Sequence, residues 1–374
     1  MTLPWLATAA FGLEGVVARE LRALGFADAR AENGGARFTA APQDALRANL
    51  WLRCADRVLL VCARFPAASF EELFEGTRAL PWADWIPKDG AFPVRAHCAR
   101  SQLMSARDCQ AIVKKAVAER LKTAYCLQWL PETGAAYAID VSLHGDVVQI
   151  ALDASGEALN RRGYRTWNGE APLRETLAAA LVSLAPWRPG KPLHDPMCGT
   201  GTLLIEAAMQ AANRAPGLRR AFACEAWAMM PACAAAEARA QAQTAYNPQA
   251  IAGISGSDIS ADALALAERH LRQAGLEGLV RLEKRDVADL SLPGPPGAFL
   301  TNPPYGERLG NRQGAEALYR ALRALADRHP GWCLGVFTGH PGFERCYGRR
   351  ADKKRRLYNG RLECEWLTFL PRRA

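Results

Sequence analysis

Two short stretches, each placed where an apolar run ends, constrain what this chain can fold into. The first is Asp195-Pro196-Met197-Cys198-Gly199-Thr200-Gly201-Thr202, set between the apolar segment ending at His194 and the helical pattern Leu203-Leu204-Ile205-Glu206-Ala207-Ala208. It reads as strand, glycine loop and helix, a unit that lets a ligand approach the backbone close to a helix N-terminus. The second, Thr301-Asn302-Pro303-Pro304-Tyr305-Gly306-Glu307-Arg308, follows Gly297-Ala298-Phe299-Leu300. Its two prolines fix φ and bias the residues before them toward extended backbone, which holds the Asn302 amide and nearby carbonyls in one orientation. Such a turn can grip a flat exocyclic amine under Tyr305 as a stacking lid, or it can serve as a rigid strand end and nothing more.

The glycine loop departs from two familiar alternatives. A nicotinamide fingerprint needs a third glycine and an acidic residue about 20 residues on, and neither is present. A phosphate-binding loop needs Gly-Lys-Ser or Gly-Lys-Thr, which does not follow Gly201. Around the two motifs, strand and helix signals alternate as they do in a parallel sheet covered on both faces. Strands are expected at 192–195, 251–258, 280–286, 298–302 and 332–338, which places both motifs at carboxyl ends of strands, the side where open α/β sheets bind ligands. An alanine-rich stretch from Arg214 to Gln249, containing Trp227 and Met229-Met230-Pro231, reads as an insertion capping the core.

The first part of the chain has a different texture. Helical periodicity over 12–24 and 101–124 is mixed with strand-like runs at 58–63, 92–96, 138–143 and 147–152, an α+β pattern without tandem repeats. The polar, turn-rich residues Asp153-Ala154-Ser155-Gly156-Glu157 and Asn160-Arg161-Arg162-Gly163 read as a linker. A chain of 374 residues is long enough for two or three domains. The 47 lysines and arginines against 38 acidic residues give a formal charge of +9, which favours polyanions without proving a nucleic-acid partner. The 11 cysteines are odd in number and include no Cys-x-x-Cys pair, which argues against a zinc ribbon and a full disulfide framework, and no metal is expected. No apolar run approaches the roughly 20 residues that span a bilayer, and no signal segment opens the chain. A cytoplasmic protein without membrane partners is the simplest expectation, and the oligomeric state is left open.

Taken together, the motifs resemble class I S-adenosylmethionine-dependent methyltransferases that act on exocyclic amines. Ser257-Asp258, Arg285-Asp286 and Asn302-Pro303-Pro304-Tyr305 follow the glycine loop in that family's order. Gly12-Leu13-Glu14, Arg162-Gly163-Tyr164-Arg165, the run from Ala171 to Ala180, Arg214-Ala215-Pro216-Gly217 and Leu357-Tyr358-Asn359-Gly360 narrow the likeness. Along nearly the whole chain they resemble the THUMP-containing 23S ribosomal RNA guanine-N2 methyltransferases. The resemblance implies an α/β Rossmann-like class I methyltransferase domain preceded by an α+β ferredoxin-like/THUMP module. The implied organisation is a ferredoxin-like segment at 1–42, a THUMP RNA-binding domain at 43–154, a linker at 155–170 and the methyltransferase domain at 171–374. It also implies that the insertion borders the target pocket. Known bacterial relatives often carry a second methyltransferase domain, and a single one is expected in this chain.

The resemblance assigns roles residue by residue. S-adenosylmethionine is expected to be held by Asp195, Pro196, Cys198, Gly199, Thr200 and Gly201 at its methionine end, by Asp258 at the ribose hydroxyls and by Asp286 at the adenine amine, with Asn302 beside it. Taken alone, Asp258 reads as the N-cap of a helix starting near Ala261, and Asp286 as an exposed loop residue. Asn302, Pro303, Pro304 and Tyr305 are expected to form the catalytic turn, with the Asn302 oxygen and the Pro303 carbonyl accepting from the target amine and Tyr305 stacking on an extruded base. RNA contacts are expected from Arg100, Arg107, Lys114, Lys115, Arg161, Arg162, Lys353, Lys354, Arg355 and Arg356, although a charge run is most often a solvated face. The partner is then 23S ribosomal RNA or a large-subunit precursor. Adenine N6 offers the same planar amine, so three alternatives stay open: a transfer-RNA guanine-N2 enzyme, an adenine-N6 enzyme, and a non-catalytic RNA-binding assembly factor.

Overall fold

The computed structural model describes residues 2–165, 173–305 and 312–371. They divide into two compact units: residues 2–9, 17–159 and 220–241 in the first, and the remaining described residues in the second. The first unit is built on strands β1 (Leu3–Thr8), β2 (Arg30–Glu32), β3 (Gly35–Ala40), β4 (Arg57–Pro66), β5 (Val94–Ala99), β6 (Ile139–His144) and β7 (Val147–Asp153). Its helices are α1 (Glu14–Ala23), α2 (Pro42–Trp51), α3 (Phe70–Arg78) and α4 (Ala106–Tyr125). The strands form one sheet in the order β2-β3-β1-β4-β7-β6-β5, antiparallel except for β5 on β6. The sheet passes without a break across residue 42, where the sequence suggested a module boundary. Two helices start on serine caps: Ser69 shares a capping box with Glu72 at α3, and Ser105 accepts from the Asp108 amide at α4.

Two expectations about this unit change. The polar stretch after β7 is not a free linker. Asp153 and Ser155 are fully buried, Arg57 and Arg95 both pair with Asp153, and the Ser155 hydroxyl accepts from the Val58 amide at 2.8 Å. Polar residues in a sequence look solvated, and here they are internal partners for one another. The rest of the linker call, 166–170, lies outside the described residues, as do Ala171 and Pro172. The insertion, in turn, packs on this first unit. The Trp227 ring stacks on Tyr137 with centroids 5.4 Å apart, its indole N–H donates to the Ala136 carbonyl, and the Tyr137 hydroxyl accepts from the Ala228 amide. The part that holds Trp227, residues 220–241, therefore caps the core of the first unit, to which it belongs, where the sequence placed it in the motif-bearing half.

In the second unit, α5 (Glu175–Leu184) precedes β8 (Leu193–Asp195) and α6 (Thr202–Ala211). After α7 (Ala234–Thr244), most of which belongs to the first unit, come β9 (Ile254–Asp258), α8 (Ala261–Ala274), β10 (Arg281–Lys284), β11 (Ala298–Thr301), α9 (Arg312–Arg328) and β12 (Cys333–Thr338). A short α10 (Phe343–Tyr347) leads to a hairpin of β13 (Lys353–Asn359) and β14 (Leu362–Phe369). The sheet order is β10-β9-β8-β11-β12-β14-β13. The first five strands are parallel, as expected, but β14 runs antiparallel to both β12 and β13. The basic run Lys353 to Arg356 therefore lies in an edge strand. Chain order reverses between the neighbours β8 and β11, which puts the loops that follow them side by side at the switch point of the sheet. Among the described residues no helix is long and apolar enough to cross a membrane.

Candidate active site

The loop after β8 keeps its shape through its own backbone. Gly199 and Gly201 take φ of 51° and 80°, values that side chains with a Cβ resist, and a Cβ on Gly201 would stand 3.1 Å from that of Ala267. The Gly199 amide donates to Asp258 Oδ2 at 2.8 Å and the Gly201 amide to the Cys198 carbonyl at 2.8 Å. Two donors expected to face a ligand are thus used to brace the loop. From behind, His270 bonds the Thr200 carbonyl, and Arg165 donates to Thr202 at 2.7 Å and pairs with Glu175.

Asp258 is not the N-cap of α8. Ser260 caps it, accepting from the Ala263 amide, while Asp258 Oδ1 accepts from the Ser260 amide at 2.9 Å. The carboxylate consequently stays at the strand end, half-buried. Asp286 caps a single turn at Val287–Asp289 through the Ala288 amide. Asp195 is buried at 2% exposure and accepts from the Met197 amide, and burial pushes its carboxyl up to about 7. Cys198 is also buried, and burial raises its thiol well above the usual range.

At the end of β11, the Tyr305 hydroxyl donates to Asn302 Oδ1 at 2.5 Å. The Pro304 carbonyl accepts from Tyr319 of α9 at 2.8 Å. Tyr319 is fully buried, edge-on to His340 and packed on Phe343 at 4.6 Å, and burial lifts its phenol to about 12, so it remains a donor. The prolines fix φ along the turn, and Tyr319 fixes the carbonyl that they leave free. Sequence alone gave no signal for it beyond a helical position.

These strand ends enclose a cavity of about 530 Å³. Pro196, Met197 and Gly199 line it from the glycine loop, Asp258 and Asp286 from the next two strand ends, and Asn302 to Tyr305 from the turn. Asp195 and Cys198 are buried behind this wall. Thr200 and Gly201 are likewise absent from it. Ile259, Leu318, Asn359 and Leu362 do line it and were not foreseen. Gly306, Glu307 and Arg308 lie outside the described residues.

The cations expected to meet RNA fare unequally. Arg162 is buried beside Glu206, which also accepts from Tyr164 at 3.0 Å, so it is an internal ion pair and no RNA contact. Lys114 is held by Glu132 and lies over the Phe92 ring. Lys354 pairs with Glu344, Arg355 donates to the Gly12 carbonyl, and Arg356 lies 3.9 Å from Glu363, so two cations of that run have a carboxylate beside them while all four stay exposed. Arg100, Arg107, Arg161, Lys115 and Lys353 are exposed.

A mixed sheet of this order, with a cavity between acidic strand ends and a proline-braced asparagine, defines a class I methyltransferase. The chain belongs to the family of the RMKL-like methyltransferase domain, whose model matches residues 162–368. Models of the RlmL ferredoxin-like domain and the THUMP domain match residues 5–59 and 67–153. A Bacillus subtilis (strain 168) protein, YpsC, whose name assigns it provisionally to the RNA methyltransferases, is 40% identical over 366 residues, 97% of this chain and 95% of YpsC. A crystal structure from Listeria monocytogenes str. 4b F2365, described as a predicted N6-adenine-specific DNA methylase, is 42% identical with a TM-score of 0.94, covering 100% of this chain and 97% of that one. SMU.472, provisionally a methyltransferase and crystallised with S-adenosylhomocysteine, is 38% identical with a TM-score of 0.95 over 100% and 99% of the two chains. The protein is an S-adenosylmethionine-dependent nucleic-acid methyltransferase. The cavity suits that cofactor: Asp258 is free of the helix cap, and with Asp286 it offers two carboxylates as acceptors to a ligand that carries hydroxyl and amine donors.

Proposed function

We propose that this protein methylates the exocyclic N2 of a guanine in 23S ribosomal RNA, in the cytoplasm. The observation that carries the reading is Asn302-Pro303-Pro304-Tyr305 on the same cavity wall as the glycine loop. S-adenosylmethionine supplies an activated methyl group. Asp258 accepts from its ribose hydroxyls and Asp286 from its adenine amine, while Pro196 and Gly199 bound its methionine end. Asn302 Oδ1 and the Pro303 carbonyl accept the two amine protons of the target, which aims the nitrogen lone pair at the methyl carbon. Positioning is the main contribution to rate, and no strong base is needed because the proton leaves after the nitrogen is methylated. Tyr305 stacks on the extruded base. The match to a THUMP model supports RNA as the substrate, and the exposed cations Arg100, Arg107 and Lys353 are among those that could meet phosphates.

Deleting the gene and mapping N2-methylguanosine across ribosomal and transfer RNA tests the proposal. Loss at one 23S position is the expected result, and loss from neither RNA overturns it. One observation favours a second reading: the Listeria relative is described as adenine-N6-specific. Loss of N6-methyladenosine from the same strain would establish that reading instead.

A further inference from the structure

The motif Leu357-Tyr358-Asn359-Gly360 has a placement that gives it a role. Asn359 ends β13 and is the cross-strand partner of Leu362, which opens β14. A Cβ built on Gly339 would stand 3.0 Å from Leu362 Cδ2 and 3.2 Å from Tyr305 Cδ2, so Leu362 and Tyr305 both border that glycine. The hairpin tip therefore adjoins the Asn-Pro-Pro-Tyr end of the cavity. Among the described residues lining that cavity, Asn302 and Asn359 are the two with side-chain amides. Asn302 is committed to the reacting amine. Among the described residues, the Asn359 amide has no hydrogen-bond partner.

A carboxamide presents an acceptor and a donor side by side in one plane. Guanine with its N2 held by Asn302 still offers an adjacent donor and acceptor, N1–H and O6. Adenine held by N6 offers a single ring acceptor on that edge. We propose that Asn359 reads the target base, its Oδ1 accepting from N1–H and its Nδ2 donating to O6, and so determines specificity for guanine. The assignment rests on the guanine-N2 reading above.

The test uses a synthetic RNA spanning the mapped nucleotide, with guanine or 2-aminopurine at that position. 2-Aminopurine keeps the 2-amine and lacks both O6 and N1–H. Wild-type protein favours guanine in kcat/KM, and Asn359→Ala lowers that preference about 5- to 150-fold, the range of one bidentate base contact. Affinity for S-adenosylhomocysteine and the melting temperature stay at wild-type values. If Asn359→Ala does not fold, Asn359→Asp serves: it keeps the size and the acceptor, loses the donor, and is expected to lose part of the preference. An unchanged preference in the folded variant overturns the assignment while the guanine reading survives. A wild type that methylates neither RNA, with N2-methylguanosine intact in the deletion strain, overturns the guanine reading itself.

Discussion

Replacing Arg162 by methionine separates a structural cation from an RNA-binding one. The guanidinium is buried, lies 3.3 Å from Glu206, and Glu206 is itself fully buried. Removing one member of such a pair strands the other without water, a cost of about 3–5 kcal/mol. For a unit of this size that is a fall in melting temperature of roughly 6–20 °C. The Tyr164 hydroxyl donates to the same Glu206 oxygen, so part of the charge stays solvated by the protein and the lower end of the range is expected. Combining Arg162→Met with Glu206→Gln removes the stranded charge and recovers most of the loss. Thermal unfolding of the single and double variants, with the salt dependence of RNA binding measured on whichever folds, is the assay. A single variant that melts at the wild-type temperature and loses only RNA affinity would refute the buried-pair argument and restore Arg162 to the interface.

The remaining predictions concern the cavity. Tyr319→Phe keeps the packing on Phe343 and removes the donor to the Pro304 carbonyl, so kcat falls while S-adenosylhomocysteine affinity is kept, with about 1–3 kcal/mol of stability lost. Equal losses in kcat and cofactor affinity would contradict that. Gly339→Ala pushes on Leu362 and the Tyr305 ring from 3.0 and 3.2 Å, and lowers turnover without touching the cofactor half of the site, as single-turnover rates and cofactor titration will show. Asp195 has its carboxyl raised from the usual 3.8 to about 7, so the folded ligand-free protein holds that proton more tightly than the unfolded chain. Its stabilisation is complete below pH 3.8 and is lost as the pH rises through about 7. Asp195→Asn therefore flattens the decline in melting temperature over that window and melts higher than wild type above it; an unchanged slope would contradict the assignment.

Much of the second unit was legible because strand, loop and helix signals alternate there. The five parallel strands fall within the expected ranges, and both motifs end strands at the switch point. The closing hairpin was not legible: Lys353 to Arg356 are consecutive cations without apolar alternation, and they form a strand because β14 supplies the pairing. Arg162 and Trp227 were misjudged for one reason. Each side chain is defined by a partner far along the chain, Glu206 in one case and Tyr137 in the other, which local pattern cannot reveal. Asp258 read as the cap by sequence, and in the structure Ser260, two residues on, takes that place. The acidic strand ends and the proline turn were readable because their order along the chain carries the chemistry. Tyr319 and Asn359 were not, since their roles depend on α9 and the hairpin folding over the turn.

The central claim is tested most directly by incubating the purified protein with methyl-labelled S-adenosylmethionine and 23S ribosomal RNA from the deletion strain, then digesting the RNA to nucleosides. The account predicts label in N2-methylguanosine with wild-type protein, and none with Asn302→Ala, which still binds S-adenosylhomocysteine. Label in N6-methyladenosine, or full activity in Asn302→Ala, would contradict it.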